Sequence, residues 1–126
     1  MKKFAEEYYD DLSKYLTLIR FTGKNARSFD FFEGIQQAGN IIKSQTGQGH
    51  KIMFIGNGAS AAISSHMSTD FWKNGGMKSL AFNDSSLLTC LSNDYGYEYI
   101  FEKSIEAFAE EGDILVAISS SGQSEN

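Results

Sequence analysis

The fold of this protein is decided by the ten residues KIMFIGNGAS, Lys51 to Ser60. The first half is short, apolar and rich in β-formers, which predicts a buried strand over Lys51 to Ile55. Glycines then interrupt the pattern, and Ser60 to Lys73 has the spacing of a helix. The apolar residues of that helix predict its core-facing stripe, namely Ile63, Met67 and Phe71. A strand, a glycine turn and a helix in this order begin a βα unit.

The same alternation continues along the chain. Strands are predicted over Lys78 to Phe82 and over Asp113 to Ile118, and helices over Ser85 to Leu91, begun by a serine cap, and over Tyr97 to Phe108. Alternating elements predict an α/β fold with a doubly wound parallel sheet and helices on both faces. Because such sheets have roughly five strands or more and only three are found, we expect residues 47–126 to form a C-terminally incomplete domain.

Two amphipathic helices are predicted before the first strand, over Phe4 to Ile19 and over Ser28 to Lys43. We expect residues 1–46 to form a separate helical pair. Its aromatic residues exceed what three strands can bury, which favours contacts with another subunit. The alternative, in which both helices simply cover one face of the sheet, is equally compatible with the pattern.

Composition excludes several classes of protein. The 126 residues are 41% hydrophobic and 21% charged, as in a globular domain. With 11 basic against 16 acidic residues the net charge is -5, which disfavours nucleic acid as a partner. No stretch approaches the ~20 apolar residues of a membrane span. The one cysteine, Cys90, forms no intrachain disulfide, is expected to be buried, and suits a cytoplasmic location.

Two polar loops follow predicted strands. The first, Gly56 to Ala61, offers free backbone N–H groups at the start of a helix, where an anion binds well. It also satisfies the G-x-G-x-x-A fingerprint, so a dinucleotide site with Asp84 as the ribose ligand stays open. The second loop carries four hydroxyls that can surround a phosphate monoester without a basic side chain, although a solvated turn has the same composition. These hydroxyls belong to Ser119, Ser120, Ser121 and Ser124.

Three motifs, taken in order and spacing, resemble one family. They are GNGAS at Gly56 to Ser60, SNDYGYE at Ser92 to Glu98, and GDILVAISSSGQS at Gly112 to Ser124. Together they are similar to the phosphoheptose isomerases of the sugar isomerase (SIS) domain superfamily. The resemblance implies a flavodoxin-like three-layer sandwich of SIS type.

The resemblance also implies an activity. Members of that family are cytoplasmic homotetramers that convert sedoheptulose 7-phosphate to D-glycero-D-manno-heptose 7-phosphate through an enediol. The product supplies heptose for bacterial surface polysaccharide, including lipopolysaccharide. A divalent metal, zinc by preference and one ion per subunit, is implied as cofactor, with a phosphosugar as substrate and neither nucleic acid nor membrane as partner.

Site residues are implied position by position. His66 and Asp70 match a metal-binding pair, and Asp70 also matches the family's glutamate base, which is one methylene longer. The partner acid and the remaining metal ligands, a histidine and a glutamine, are implied beyond Asn126. The family loop has glycine where this chain has alanine. Substrate contacts are implied for Asn57, Gly58, Ala59, Ser60, Asn93, Asp94, Ser119, Ser120, Ser121 and Ser124.

Two hypotheses from other functional classes remain open. One is a non-catalytic SIS domain that senses a phosphosugar or binds a protein partner, which the shorter Asp70 favours. In that reading His66 and Asp70 are a solvated surface pair. The other is a nucleotide-binding domain, against which the serine loop argues.

Overall fold

A computed structural model describes residues 1–126, and the chain divides into two units, Met1–Ile41 and Ile42–Asn126. The first unit contains helix α1 (Lys2–Thr17), the strands β1 (Phe21–Thr22) and β2 (Ser28–Phe29), and the start of helix α2 (Phe31–Gly47). None of the helices of the protein is both long and apolar enough to cross a membrane.

Two N-terminal helices form, as predicted, but the first ends at Thr17 and not at Ile19, the second runs on to Gly47 and not to Lys43, and a hairpin that was not predicted lies between them. The strands β1 and β2 pair antiparallel, with Phe21 opposite Phe29. The second helix therefore begins at Phe31 and not at Ser28. Its start is fixed by Asp30, whose carboxylate accepts hydrogen bonds from the backbone N–H groups of Phe32 and Glu33 at 2.8 and 2.9 Å.

The second unit is built on a parallel three-stranded sheet of β3 (Ile52–Gly56), β4 (Ser79–Ala81) and β5 (Ile114–Ile118). The strand order is β4-β3-β5, so the first strand of the unit lies in the centre. Helix α3 (Ala59–Lys73) follows β3. Helix α4 (Ser85–Tyr95), a 3-10 turn and helix α5 (Ile100–Phe108) lead to β5. The predicted α/β class and parallel sheet are confirmed.

Alternate residues of β3 pack on the two faces of the sheet, because successive side chains of a strand point to opposite faces. Met53 packs with Phe82, Ile100 and Phe101, which brings α4 and α5 onto one face. On the other face the Phe54 ring lies 5.6 Å from that of Phe71 in α3. The unit therefore has three layers, with α3 on one side of the sheet and α4 and α5 on the other.

The stripe predicted for α3 is partly wrong. Ile63 is 51% exposed, whereas Ser64 and Ser68 are buried. The Ser68 hydroxyl lies 3.4 Å from that of Ser79 in β4. Small side chains let this helix approach the sheet closely, so the buried face is set by size and not by hydrophobicity.

Two further predictions are corrected in α4. Its N-cap is Asp84, which accepts hydrogen bonds from the backbone N–H groups of Ser86 and Leu87, and not Ser85. Cys90 is exposed and not buried, because the neighbouring leucines face the core instead. The helix also runs on to Tyr95, and the 3-10 turn Tyr97–Tyr99 precedes α5.

A buried ion pair joins the starts of β3 and β5. The Asp113 carboxylate, 3% exposed, accepts hydrogen bonds from the backbone N–H groups of Lys51 and Glu110 at 2.9 and 2.8 Å. It also lies 2.5 Å from the Lys51 ammonium. Burial raises the pKa of Asp113, but the hydrogen bonds from Lys51 and from the backbone outweigh burial and lower this pKa from 3.8 to about 2.

Candidate active site

The site lies at the carboxyl ends of β3 and β5. From the central β3 the chain passes to β4 on one side and then returns to β5 on the other. The loops that leave β3 and β5 therefore diverge and open a crevice between them, which is where doubly wound sheets bind ligands. Both loops singled out in the sequence meet here.

The first loop needs its glycines. A Cβ on Gly56 would lie 2.9 Å from the backbone carbon of Ser60 and 3.0 Å from the carbonyl oxygen of Ile118. Gly58 has φ 55°, a conformation that favours glycine, and no side chain caps the helix that follows it. The loop thus approaches β5 closely, and it leads directly into the positive end of the 15-residue α3.

The second loop is shaped by its own hydroxyls. The Ser119 Oγ accepts a hydrogen bond from the Gly122 N–H at 2.8 Å, and the Ser121 Oγ accepts one from the Gln123 N–H at 3.3 Å. Each hydroxyl keeps its hydrogen for donation, because a hydroxyl both accepts and donates. The loop is therefore folded on itself and still presents donors.

The two loops enclose a cleft of about 210 Å³. No charged side chain lines it. Six of the predicted substrate-binding residues do, and they are Asn57, Ser60, Ser119, Ser120, Ser121 and Ser124. An oxyanion placed here would be held by neutral donors and favoured by the dipole of α3.

Asn57 is tied to two other residues. Its Oδ1 accepts hydrogen bonds from the Tyr97 hydroxyl at 2.9 Å and from Asn126 Nδ2 at 3.2 Å. Its Nδ2 donates to Asn126 Oδ1 at 2.8 Å. Neither Tyr97 nor Asn126 was among the predicted site residues. The SNDYGYE motif contains Tyr97 and was the available pointer to it.

Four predicted substrate residues do not line the cleft. Gly58 and Ala59 belong to the loop and the first turn of α3, but not to the cleft wall. Asn93 and Asp94 lie exposed in the last turn of α4, where Asn93 Nδ2 donates to Asp94 Oδ1 at 2.9 Å. Their contact with substrate stays a prediction.

His66 and Asp70 also lie outside the cleft wall. The His66 Nε2 is 3.3 Å from the Asp70 Oδ2, and the two side chains are 78% and 42% exposed. His66 is half a helical turn or more away from the buried Ser64 and Ser68, so it faces away from the sheet. Asn74 Nδ2 donates to the other Asp70 oxygen at 3.2 Å.

This pair supplies part of a metal site. Two ligands that each lie about 2.1 Å from a tetrahedral ion are separated by about 3.3 Å, so the spacing of the two atoms fits a shared ion. No group of three or more His, Cys, Asp or Glu side chains is placed to hold a metal. The pair therefore fits as two of the ligands that a metal ion needs.

Asp84 caps the N-terminus of helix α4. Both of its bonds at the start of α4 use Oδ1, at 2.9 Å to the Ser86 N–H and 3.1 Å to the Leu87 N–H. A carboxylate committed to capping explains this residue without a dinucleotide. The glycine fingerprint is thus explained by the close approach of its loop to β5.

Comparison with known proteins agrees with this geometry. The family model described as SIS domain matches residues 8–126. The chain belongs to the SIS domain family. The predicted resemblance and the SIS type of the sheet are therefore confirmed.

Relatives of this chain are named as phosphoheptose isomerases. The phosphoheptose isomerase of Clostridium acetobutylicum is 39% identical over 132 aligned positions, which cover 100% of this chain and 64% of the relative. That of Nitratidesulfovibrio vulgaris is 46% identical over 85 positions, covering 63% and 41%. The SIS domain thus spans about half the length of the curated relatives it matches.

Solved structures give the same result. The phosphoheptose isomerase of Neisseria gonorrhoeae has a TM-score of 0.68 and 37% identity, covering 72% of this chain and 50% of that one. The protein from Francisella tularensis has a TM-score of 0.66 and 33% identity, covering 73% and 50%.

Proposed function

We propose that this SIS domain binds the phosphate of a sugar phosphate and belongs to a cytoplasmic phosphoheptose isomerase. The observation that carries the proposal is the cleft between β3 and β5, which is lined by serine hydroxyls and contains no charged side chain. Relatives with 39% and 46% identity are named phosphoheptose isomerases, which supports sedoheptulose 7-phosphate as the substrate.

The phosphate would be bound by neutral donors. Serine hydroxyls can donate to a dianion in charge-assisted hydrogen bonds, and the positive end of the α3 dipole favours an anion beside them. A neutral donor set suits a substrate that must leave after each turnover, since no lysine or arginine adds a strong ion pair. Ser60, Ser121 and Ser124 approach the cleft from both loops and would enclose the anion.

Isomerisation requires a proton to move between neighbouring carbons through an enediol. Asp70 is our proposed base, and His66 beside it would hold a divalent ion together with Asp70. Such an ion, zinc by preference, would polarise the substrate carbonyl. The partner acid and the remaining ligands are proposed to lie outside these 126 residues.

Asp70 lies well along α3 from the cleft of its own chain. Ten residues separate it from Ser60, which is a rise of about 15 Å along the helix. That exceeds the distance from the phosphorus to the carbonyl carbon of an extended heptose phosphate. We therefore propose that Asp70 acts on a substrate whose phosphate is held by another copy of the chain, within a homotetramer.

The exposed apolar stripe of α1 supports assembly. No residue of α1 is buried in a single chain, and Phe4, Tyr8 and Tyr15 are among its exposed aromatic side chains. A helix with such a surface gains stability when a second copy covers it. Residues 1–46 are accordingly proposed as the contact region between subunits and 47–126 as the substrate-binding domain.

The phosphate site is tested by calorimetry with sedoheptulose 7-phosphate. Replacing Ser121 and Ser124 by alanine should weaken binding, by about 1.5–3 kcal/mol for each charge-assisted bond lost. Ser85→Ala, at the exposed start of α4 and outside the cleft wall, is the control and should bind as the unchanged protein does. Equal affinity of the serine variants and the control would remove the phosphate site from this cleft.

Catalysis is tested separately, by proton exchange. A protein that isomerises its substrate incorporates deuterium from deuterated water into the sugar carbon beside the carbonyl. Binding without incorporation, in a protein that includes the missing ligands, would favour the alternative of a phosphosugar sensor. That alternative is supported by the aspartate at position 70, which reaches less far than a glutamate.

A further inference from the structure

Asn57 lies where the two loops of the cleft meet, and its amide is nearly saturated. A side-chain amide has one oxygen with two acceptor positions and one nitrogen with two hydrogens. The oxygen accepts from Tyr97 at 2.9 Å and from Asn126 at 3.2 Å. One hydrogen of the nitrogen is used on Asn126 at 2.8 Å. A single N–H is left for a ligand.

We propose that Tyr97 is a positioning residue that holds the Asn57 amide at the cleft, in the orientation in which the amide oxygen accepts from Tyr97 and the remaining N–H is offered to the ligand. The inference rests on the proposed phosphosugar site and adds a residue to it. An amide in this orientation recognises a ligand oxygen with free lone pairs, such as a phosphate oxygen. In the reversed orientation the nitrogen would face Tyr97, and the amide oxygen would keep a lone pair toward the ligand.

The role belongs to the hydroxyl and not to the ring. Tyr97 lies 40 residues from Asn57 and is 54% exposed, so its ring is not part of the core. Tyr97→Phe keeps the ring and removes only the donor. Tyr95 is a matched control, because it is 55% exposed and its hydroxyl makes no hydrogen bond within the protein.

The experiment is a double-mutant cycle measured by calorimetry with sedoheptulose 7-phosphate and with inorganic phosphate. We expect Tyr97→Phe to weaken binding about 5-fold, since one neutral hydrogen bond is lost. Asn57→Ala should weaken it at least ~10-fold, because its bond to the anion is charge-assisted. The double variant should bind as Asn57→Ala does, within about 2-fold. Tyr95→Phe should bind like the unchanged protein.

Several results would overturn this assignment. Additive losses, about 50-fold in the double variant, would mean that Tyr97 acts independently of Asn57. If Asn57→Ala bound sedoheptulose 7-phosphate with unchanged affinity, Asn57 would not contact the ligand. The proposed function would still hold in that case, provided that the serine substitutions weaken binding. If the unchanged protein bound neither sedoheptulose 7-phosphate nor inorganic phosphate, both the role of Tyr97 and the proposed function would be wrong.

A second test does not require the Tyr97→Phe variant to fold. Asn57→Asp has the same shape and can still accept from Tyr97, but it replaces the one free N–H by a carboxylate oxygen. We expect phosphate binding to fall by more than in Asn57→Ala. Binding retained by Asn57→Asp would show that an acceptor serves the ligand at this position and would overturn the proposal.

Discussion

Replacing Asp113 by asparagine tests how the starts of β3 and β5 are held together. The folded-state pKa of about 2, against 3.8, is a difference of about 1.8, or about 2.4 kcal/mol at 1.36 kcal/mol for each pKa unit. The Asp113 side chain is 3% exposed and its partner Lys51 is 17% exposed, but Lys51 also pairs with Glu110, which is 80% exposed and screened by solvent. We therefore expect Asp113→Asn to lower the free energy of unfolding at pH 7 by about 1–2 kcal/mol.

The effect has a defined pH dependence. A carboxylate whose pKa is lowered by folding stabilises the protein above its unfolded pKa, and this stabilisation is lost as the pH falls through the folded value. The contribution of Asp113 is thus complete above about pH 5 and disappears toward pH 2. The free-energy difference between the unchanged protein and Asp113→Asn should narrow over the same range.

Urea denaturation followed by circular dichroism at pH 7 and pH 2.5 measures this difference. Glu110→Gln is the control, since an exposed ion pair contributes little and its loss should cost at most ~0.5 kcal/mol. An equal difference between the unchanged protein and Asp113→Asn at both pH values would refute the argument. The cost would then arise from packing or from the backbone hydrogen bonds, which an asparagine oxygen could in part retain.

Three further predictions follow from other parts of the chain. Asp84→Ala should lower the thermal stability by about 1 kcal/mol because α4 loses its cap, whereas Ser85→Ala should change it by less than ~0.5 kcal/mol. In protein that includes the proposed further ligands, Asp70→Asn should slow isomerisation by about 10²–10⁴-fold, the usual cost of losing a general base, with binding retained. Asp70→Glu should preserve or raise the rate. The protein should be a tetramer by light scattering, and a monomer would contradict the proposed assembly. If the active site is shared between subunits, mixing Asp70→Asn subunits with subunits that carry both Ser121→Ala and Ser124→Ala should restore part of the activity.

Much of the fold follows from local pattern. The strand at Lys51 to Ile55, the glycine turn and the alternation of strands and helices are properties of neighbouring residues, and β3, α3 and β5 form within one or two residues of their predicted bounds. The predicted ends of helices and strands were wrong where a contact with residues outside the segment determines them. Ser28 pairs with Thr22 in a hairpin and does not begin a helix.

The candidate site, like the fold, was predicted only in part. The sequence alone determined the two loops, because glycine spacing and a dense run of serines each have a physical meaning at a strand end. Only the tertiary structure decided that Tyr97 reaches Asn57 across 40 residues, that Asp113 pairs with Lys51 across 62, and that His66 faces away from the sheet. Periodicity reports which residues share a face, but which face is buried depends on how closely a helix can approach the sheet, and that distance is set by residues far apart in the chain.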